Sequence, residues 1–116
     1  MTLRWGILGT ARINRRVIPA IRLAPRSEVA AVASRTRARA ESYATEWNIP
    51  RAITGYQALV DDPGIDAIYI PLPNSEHVPW TLAAVAAGKH VLCEKLMAHN
   101  ITQCKEMIRE IGRAHV

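Results

Sequence analysis

Apolar positions come first as a short run, Leu3, Trp5, Ile7 and Leu8, which ends at Gly9; the spacing then lengthens to a helical period through Ile13, Val17, Ile21 and Ala24. This predicts strand, tight turn and helix over residues 2–23. Pro25 stops the helix, and Pro19 inside it removes a bond to the Arg15 carbonyl, so a kink or a late start is expected. Ser27 to Ser34 is small and mostly apolar, as in a parallel strand covered on both faces. From Thr36 to Trp47 the helical period returns, with Ala40, Tyr43, Ala44 and Trp47 on one face and Arg37, Arg39, Glu41 and Glu46 on the other.

Ile49 to Ile53 predicts a short third strand, and Gly55 to Val60 a short helix ending in the turn Asp61-Asp62-Pro63-Gly64. Ala67 to Ile70 is the fourth strand, which the two prolines of Pro71-Leu72-Pro73-Asn74 bring to an end. Ser75 to Ala87 reads as a helix capped by Asn74 or Ser75, burying Val78, Leu82 and Val85, and closed by Gly88. His90 to Cys93 is the fifth strand. A last helix is expected from Asn100, with Ile101, Cys104, Ile108 and Ile111 as its apolar stripe. Strands that alternate with helices throughout predict an α/β fold, a doubly wound, Rossmann-like parallel sheet of five main strands in the order 3-2-1-4-5.

In such sheets ligands bind outside the carboxyl ends of the strands. Here those ends are Gly9-Thr10-Ala11, Ser34-Arg35-Thr36, Pro71-Leu72-Pro73-Asn74 and Cys93-Glu94-Lys95. The helix after Gly9 points its unpaired N–H groups at whatever lies over the turn, and a phosphate is the natural guest. Against the dinucleotide fingerprint GxGxxG, Gly9 takes the first place, Ala11 the second and Asn14 the third, where it would push the helix off the strand or cap it. About twenty residues past Asn14 stands Ser34, where an acid would accept from the ribose hydroxyls of NAD. The place is neutral, Arg35 follows, and Arg39 lies one turn into the helix. That favours a 2′-phosphate, and so NADP over NAD.

Composition changes the picture little, except through charge. At 116 residues with a net charge of +5, the chain is expected to be one domain over 1–116. Residues 1–58 hold ten Lys/Arg against three acids, and residues 59–116 five against seven. A basic half suits nucleic acid, but no aromatic ladder or nucleic-acid motif accompanies it, so no such partner is expected. Plain solvated charge is the other reading of these arginines. No apolar run is long enough for a membrane span and no signal-peptide pattern opens the chain, which predicts a cytoplasmic address and no membrane partner. Cys93 and Cys104 read as free thiols, and the four histidines make no ligand pair, so no metal site is expected.

Three stretches taken together, Gly9-Thr10-Ala11-Arg12-Ile13, Ile70-Pro71-Leu72-Pro73-Asn74-Ser75-Glu76-His77 and Gly88-Lys89-His90-Val91-Leu92-Cys93-Glu94-Lys95, resemble the Gfo/Idh/MocA oxidoreductases. The resemblance runs essentially from end to end. It implies NAD(P) binding and hydride transfer to or from a sugar-like hydroxyl carbon. It places the pyrophosphate on Gly9, Thr10, Ala11, Arg12 and Ile13, the adenosine ribose at Ser34 and Arg35, and the nicotinamide side near Pro71, Leu72, Asn74 and His77. Lys95 would be the catalytic lysine, with Glu94 beside it over the nicotinamide ribose.

Two departures from the family pattern alter these expectations. Leu96 stands where the pattern has a proline after the lysine, which loosens Lys95. The resemblance also implies a second, substrate-holding domain that the 116 residues do not include, so weak turnover is expected. A cofactor-binding or interaction module without catalysis is the alternative, as is a short Rossmann domain with an unrelated activity such as hydrolysis. An open strand edge beside Lys89 to Cys93 and uncovered apolar surface predict a homo-oligomer, most simply a dimer.

Overall fold

The first strand, β1 (Leu3–Leu8), is apolar in both directions; every residue but Arg4 is buried, which suits the middle of a parallel sheet. The computed structural model describes residues 2–72 and 74–93, with Asn74, Ser75, His77 and Cys93 described by their backbone. After β1 come α1 (Asn14–Leu23), β2 (Ser27–Ser34), α2 (Arg37–Trp47), β3 (Arg51–Thr54), α3 (Tyr56–Val60), β4 (Ala67–Ile70), α4 (Asn74–Ala86) and β5 (His90–Cys93). The strands lie in the order β3-β2-β1-β4-β5, and every neighbouring pair is parallel. This is the expected doubly wound α/β sheet. None of the described helices is long and apolar enough to cross a membrane.

Helices cover both faces, so each strand sorts its side chains by alternation. On one face Leu3, Trp5 and Ile7 of β1 and Ala67 and Tyr69 of β4 pack with Val17, Ile18 and Ile21 of α1 and Ala44 of α2. On the other, Leu8, Ile68 and Ile70 meet Leu59 and Val60 of α3 and Ala84 of α4. The register between β1 and β2 slips once: Trp5 faces Val29, but Gly6 faces Ala31. Ala30 is the extra residue of a bulge, and Val32 beyond it returns to the α1 side. Gly6 is needed at this point, since a Cβ there would lie 2.7 Å from Leu59 Cδ2.

Helix ends follow local chemistry. The Thr36 hydroxyl accepts from the Arg39 N–H at 3.3 Å and caps α2, while Asn48 in the left-handed region closes it. β3 starts two residues later than the pattern suggested, because Ile49 instead packs beneath α2, its N–H bonded to the Ala44 carbonyl at 2.8 Å. α1 begins at Asn14 and continues through Pro19, so the proline does not delay it. Pro19 and Arg15 are both exposed, which leaves the Arg15 carbonyl open to water.

One expectation is overturned. Val78, Leu82 and Val85 of α4 are 66%, 64% and 61% exposed, and the helix faces the sheet with Trp80, Ala83 and the fully buried Ala84. Trp80, Ala83 and Ala84 also stand at i, i+3 and i+4, and small alanines let the helix lie close to β4. The expectations for Pro73, for the side chains of Asn74, Ser75 and His77, for Glu94 and Lys95, and for the final helix fall outside the described residues.

Candidate functional site

The carboxyl end of β1 is tied in three directions. Gly9 has φ 106°, its N–H donates to the Ala33 carbonyl at 2.9 Å, and its own carbonyl accepts from Asn14 Nδ2 at 3.1 Å. A Cβ on Gly9 would stand 3.2 Å from Leu72 Cδ2, so the turn and the end of β4 are in close approach. Asn14 is fully buried and does neither thing expected of it. Its amide turns back to the strand and fastens the start of α1 there. The first N–H groups of α1 reach back only to Ala11, Arg12 and Ile13 at 3.0–3.1 Å; no side chain caps the helix and no acid sits in its first turn. The start of α1 thus carries no side-chain cap and no acid, and its dipole favours an anion there.

Arginines surround this end. Arg39 Nε donates to Thr10 Oγ1 at 2.9 Å, which lays a guanidinium from α2 against the turn. Arg12, Arg15 and Arg39 line a cleft of about 380 Å³ between α1 and α2, together with Tyr43 and Glu46 of α2. Three cations against one carboxylate give it a positive balance. Burial pushes the Tyr43 hydroxyl above its ordinary range, an effect opposed by the Asn14 side chain and by Arg39 and Arg15. Tyr43 therefore stays a neutral hydroxyl at neutral pH, able to donate into the cleft.

Arg35 has a partner of its own. Arg39 is bonded to Thr10, whereas Arg35 Nη2 donates to Glu76 Oε1 at 3.0 Å and its guanidinium lies 5.9 Å from the centre of the Tyr56 ring. Tyr56 in turn meets Trp80 edge-on at 5.5 Å. β1 lies between β2, which leads to Arg35, and β4, which leads to Glu76, so this pair spans the carboxyl end of the central strand. Ser34 closes β2 nearly buried, with its carbonyl accepting from the Gly55 N–H, and Pro71 and Leu72 are buried at the end of β4.

Sequence reading did not single out Arg15, Tyr56, Glu76 or Trp80. Each stands in the first turns of a helix that follows a strand end, a signal that the rule of carboxyl ends, carried a few residues further, would have caught.

A family model described as the oxidoreductase family with an NAD-binding Rossmann fold, Gfo/Idh/MocA, matches residues 3–116. The chain belongs to that family. It is 52% identical over 94 residues to a D-xylose 1-dehydrogenase (NADP(+)) of Haloferax volcanii, covering 80% of this chain and 29% of that protein. With a 1,5-anhydro-D-fructose reductase of Ensifer adhaerens the identity is 44% over 113 residues, 94% of this chain and 34% of the other. Among solved structures, a 3-ketoreductase of Actinomadura kijaniata in complex with TDP-benzene and NADP, in an open conformation, superposes with a TM-score of 0.77 at 34% identity. That likeness covers 97% of this chain and 36% of the reductase. The chain thus spans about a third of the length of the family members it matches.

Proposed function

We propose that these 116 residues act as one dinucleotide-binding domain for NADP, serving an oxidoreductase that moves a hydride to or from a hydroxyl or carbonyl carbon of a sugar-like small molecule. The observation that carries this reading is the Arg39–Thr10 bond, which puts a fixed cation at the phosphate-binding turn. The residues fit the cofactor: a turn that a Cβ at Gly9 would crowd, an uncapped helix start and three arginines beside it. NADP-linked and sugar-directed relatives support the same reading.

In it, the turn of Gly9 to Ile13 holds the pyrophosphate, through backbone N–H groups beyond that of Gly9, which is bonded to the Ala33 carbonyl. Ser34, Arg35 and Arg39 take the adenosine ribose and its phosphate. Pro71, Leu72, Asn74 and His77 border the nicotinamide, and Glu94 its ribose. When bound, the nicotinamide supplies or accepts the hydride. Lys95 moves the proton on the substrate oxygen, which at neutral pH requires its pKa to be lowered by its surroundings. Leu96 stands where the family pattern has a proline after the lysine, and turnover by these residues alone is slow.

Two further parts belong to the reading. The exposed Val78, Leu82 and Val85 favour contact with a second copy through one helix face. The paucity of cysteines, two without a paired motif, suits a reducing, cytoplasmic address. Titration of the chain with NADPH and NADH by calorimetry is the test. Binding of NADPH in preference to NADH supports the reading, and no binding of either ends it. Loss of turnover but not of binding in Lys95→Ala supports the role of Lys95. Light scattering at 12.8 kDa, independent of concentration, would remove the second copy.

A further inference from the structure

Arg35 and Glu76 lie 41 residues apart and reach each other from opposite sides of β1. The end of β2 carries no acid, yet the fold brings a carboxylate to that place from the first turn of α4. Glu76 is the anchored half of the pair, with 29% of its side chain exposed, and it sits where a helix dipole favours a negative charge. Arg35 is the free half at 71% exposed, resting over the face of Tyr56.

We infer that Glu76 restrains the preference for NADP over NAD by holding Arg35, the guanidinium that a 2′-phosphate would need. The inference rests on the proposed NADP reading and deepens it by assigning a selectivity residue on α4. The Arg35 Nη2 group that donates to the carboxylate at 3.0 Å cannot give the same N–H to a phosphate, so the two anions compete for that donor. A dinucleotide without the phosphate leaves the pair as it stands. The restraint therefore falls on NADP alone. Exposed ion pairs are weak, which limits the restraint to about two- to fivefold in affinity.

The experiment compares dissociation constants for NADPH and NADH in the 116-residue chain, in Glu76→Gln, in Arg35→Ala and in the double variant. Glu76→Gln is expected to tighten NADPH about two- to fivefold and to leave NADH within about 1.5-fold, so that the selectivity ratio rises. In the Arg35→Ala background the same substitution should change neither constant. An unchanged ratio in Glu76→Gln overturns the inference while the NADP reading stands. So does equal tightening of both dinucleotides, or an effect that survives without Arg35. Failure of the unaltered chain to bind either dinucleotide overturns the functional reading and the inference together.

Discussion

Arg39 Nε and Thr10 Oγ1 are 2.9 Å apart, so the second helix of the fold hands a cation to the turn that opens the first. The two residues are 29 apart in sequence and meet only because α1 and α2 lie side by side on one face of the sheet. Removing the guanidinium takes away a charge-assisted donor, worth roughly 1.5 kcal/mol at an exposed site. Arg39→Ala is expected to weaken NADPH about tenfold. NADH should change less than about twofold, with the melting temperature held. Calorimetric titration with both dinucleotides reads the difference, and equal losses would place Arg39 away from the phosphate.

Asn14 makes a different kind of contact, and its test is stability. The amide is fully buried and donates to the Gly9 carbonyl at 3.1 Å, so truncation leaves a buried acceptor without its donor and opens a small void. Asn14→Ala should lose about 1–3 kcal/mol in urea denaturation. Asn14→Asp should lose more, because a carboxylate cannot donate to a carbonyl and is costly to bury. A loss below about 0.5 kcal/mol in both would show that the bond does not hold the turn.

Gly9→Ala combines two penalties. At φ 106° an L-residue is strained, and its Cβ would press on Leu72 at 3.2 Å. A loss of about 1–3 kcal/mol is expected, together with weaker NADPH binding. Adding Leu72→Ala should restore only the part due to crowding. Full restoration by the second substitution would mean that the backbone tolerates the side chain.

Most of the architecture was legible because parallel strands covered on both faces announce themselves as short apolar runs, such as Ala67 to Ile70, between helical stretches. Strand order followed from the alternation, and α2 showed its inner face in Ala40, Tyr43, Ala44 and Trp47. In α4 the period failed, since a helix apolar nearly all round offers two stripes, and the one with the smaller residues lies against the sheet. At the site, Thr10, Ala11, Arg12 and Arg39 lie around one cleft. The partner of Arg35 did not show in the sequence. Glu76 is 41 residues away, and only the crossing of β1 between β2 and β4 makes the two neighbours.

The last prediction concerns acid, and it centres on Asp62 in the turn after α3. Its carboxylate accepts from Arg51 of β3, with Nη1 at 3.1 Å from Oδ1, and from the Gly64 N–H at 2.7 Å. The bond from Arg51 is the main cause that holds the carboxyl below its ordinary value of 3.8; burial works against it, and the Gly64 N–H and the charge of Lys89 assist. A group whose pKa is lower folded than unfolded binds fewer protons in the native state. Its contribution is therefore complete above the unfolded value and is lost as pH falls through the folded one. Solvent screens the pair, since the Arg51 side chain is 47% exposed, so about 0.2–1 kcal/mol is expected at neutral pH. Asp62→Asn keeps the shape and removes the charge. Its stability should fall below that of the unaltered chain by this amount at pH 7, and the gap should close as the pH falls below about 4 and the native carboxylate takes up its proton. Arg51→Met should show the same gap and the same closing. Urea denaturation at a series of pH values reads both, and a gap that stays constant down to pH 2 would assign the loss to the altered turn and not to the ion pair.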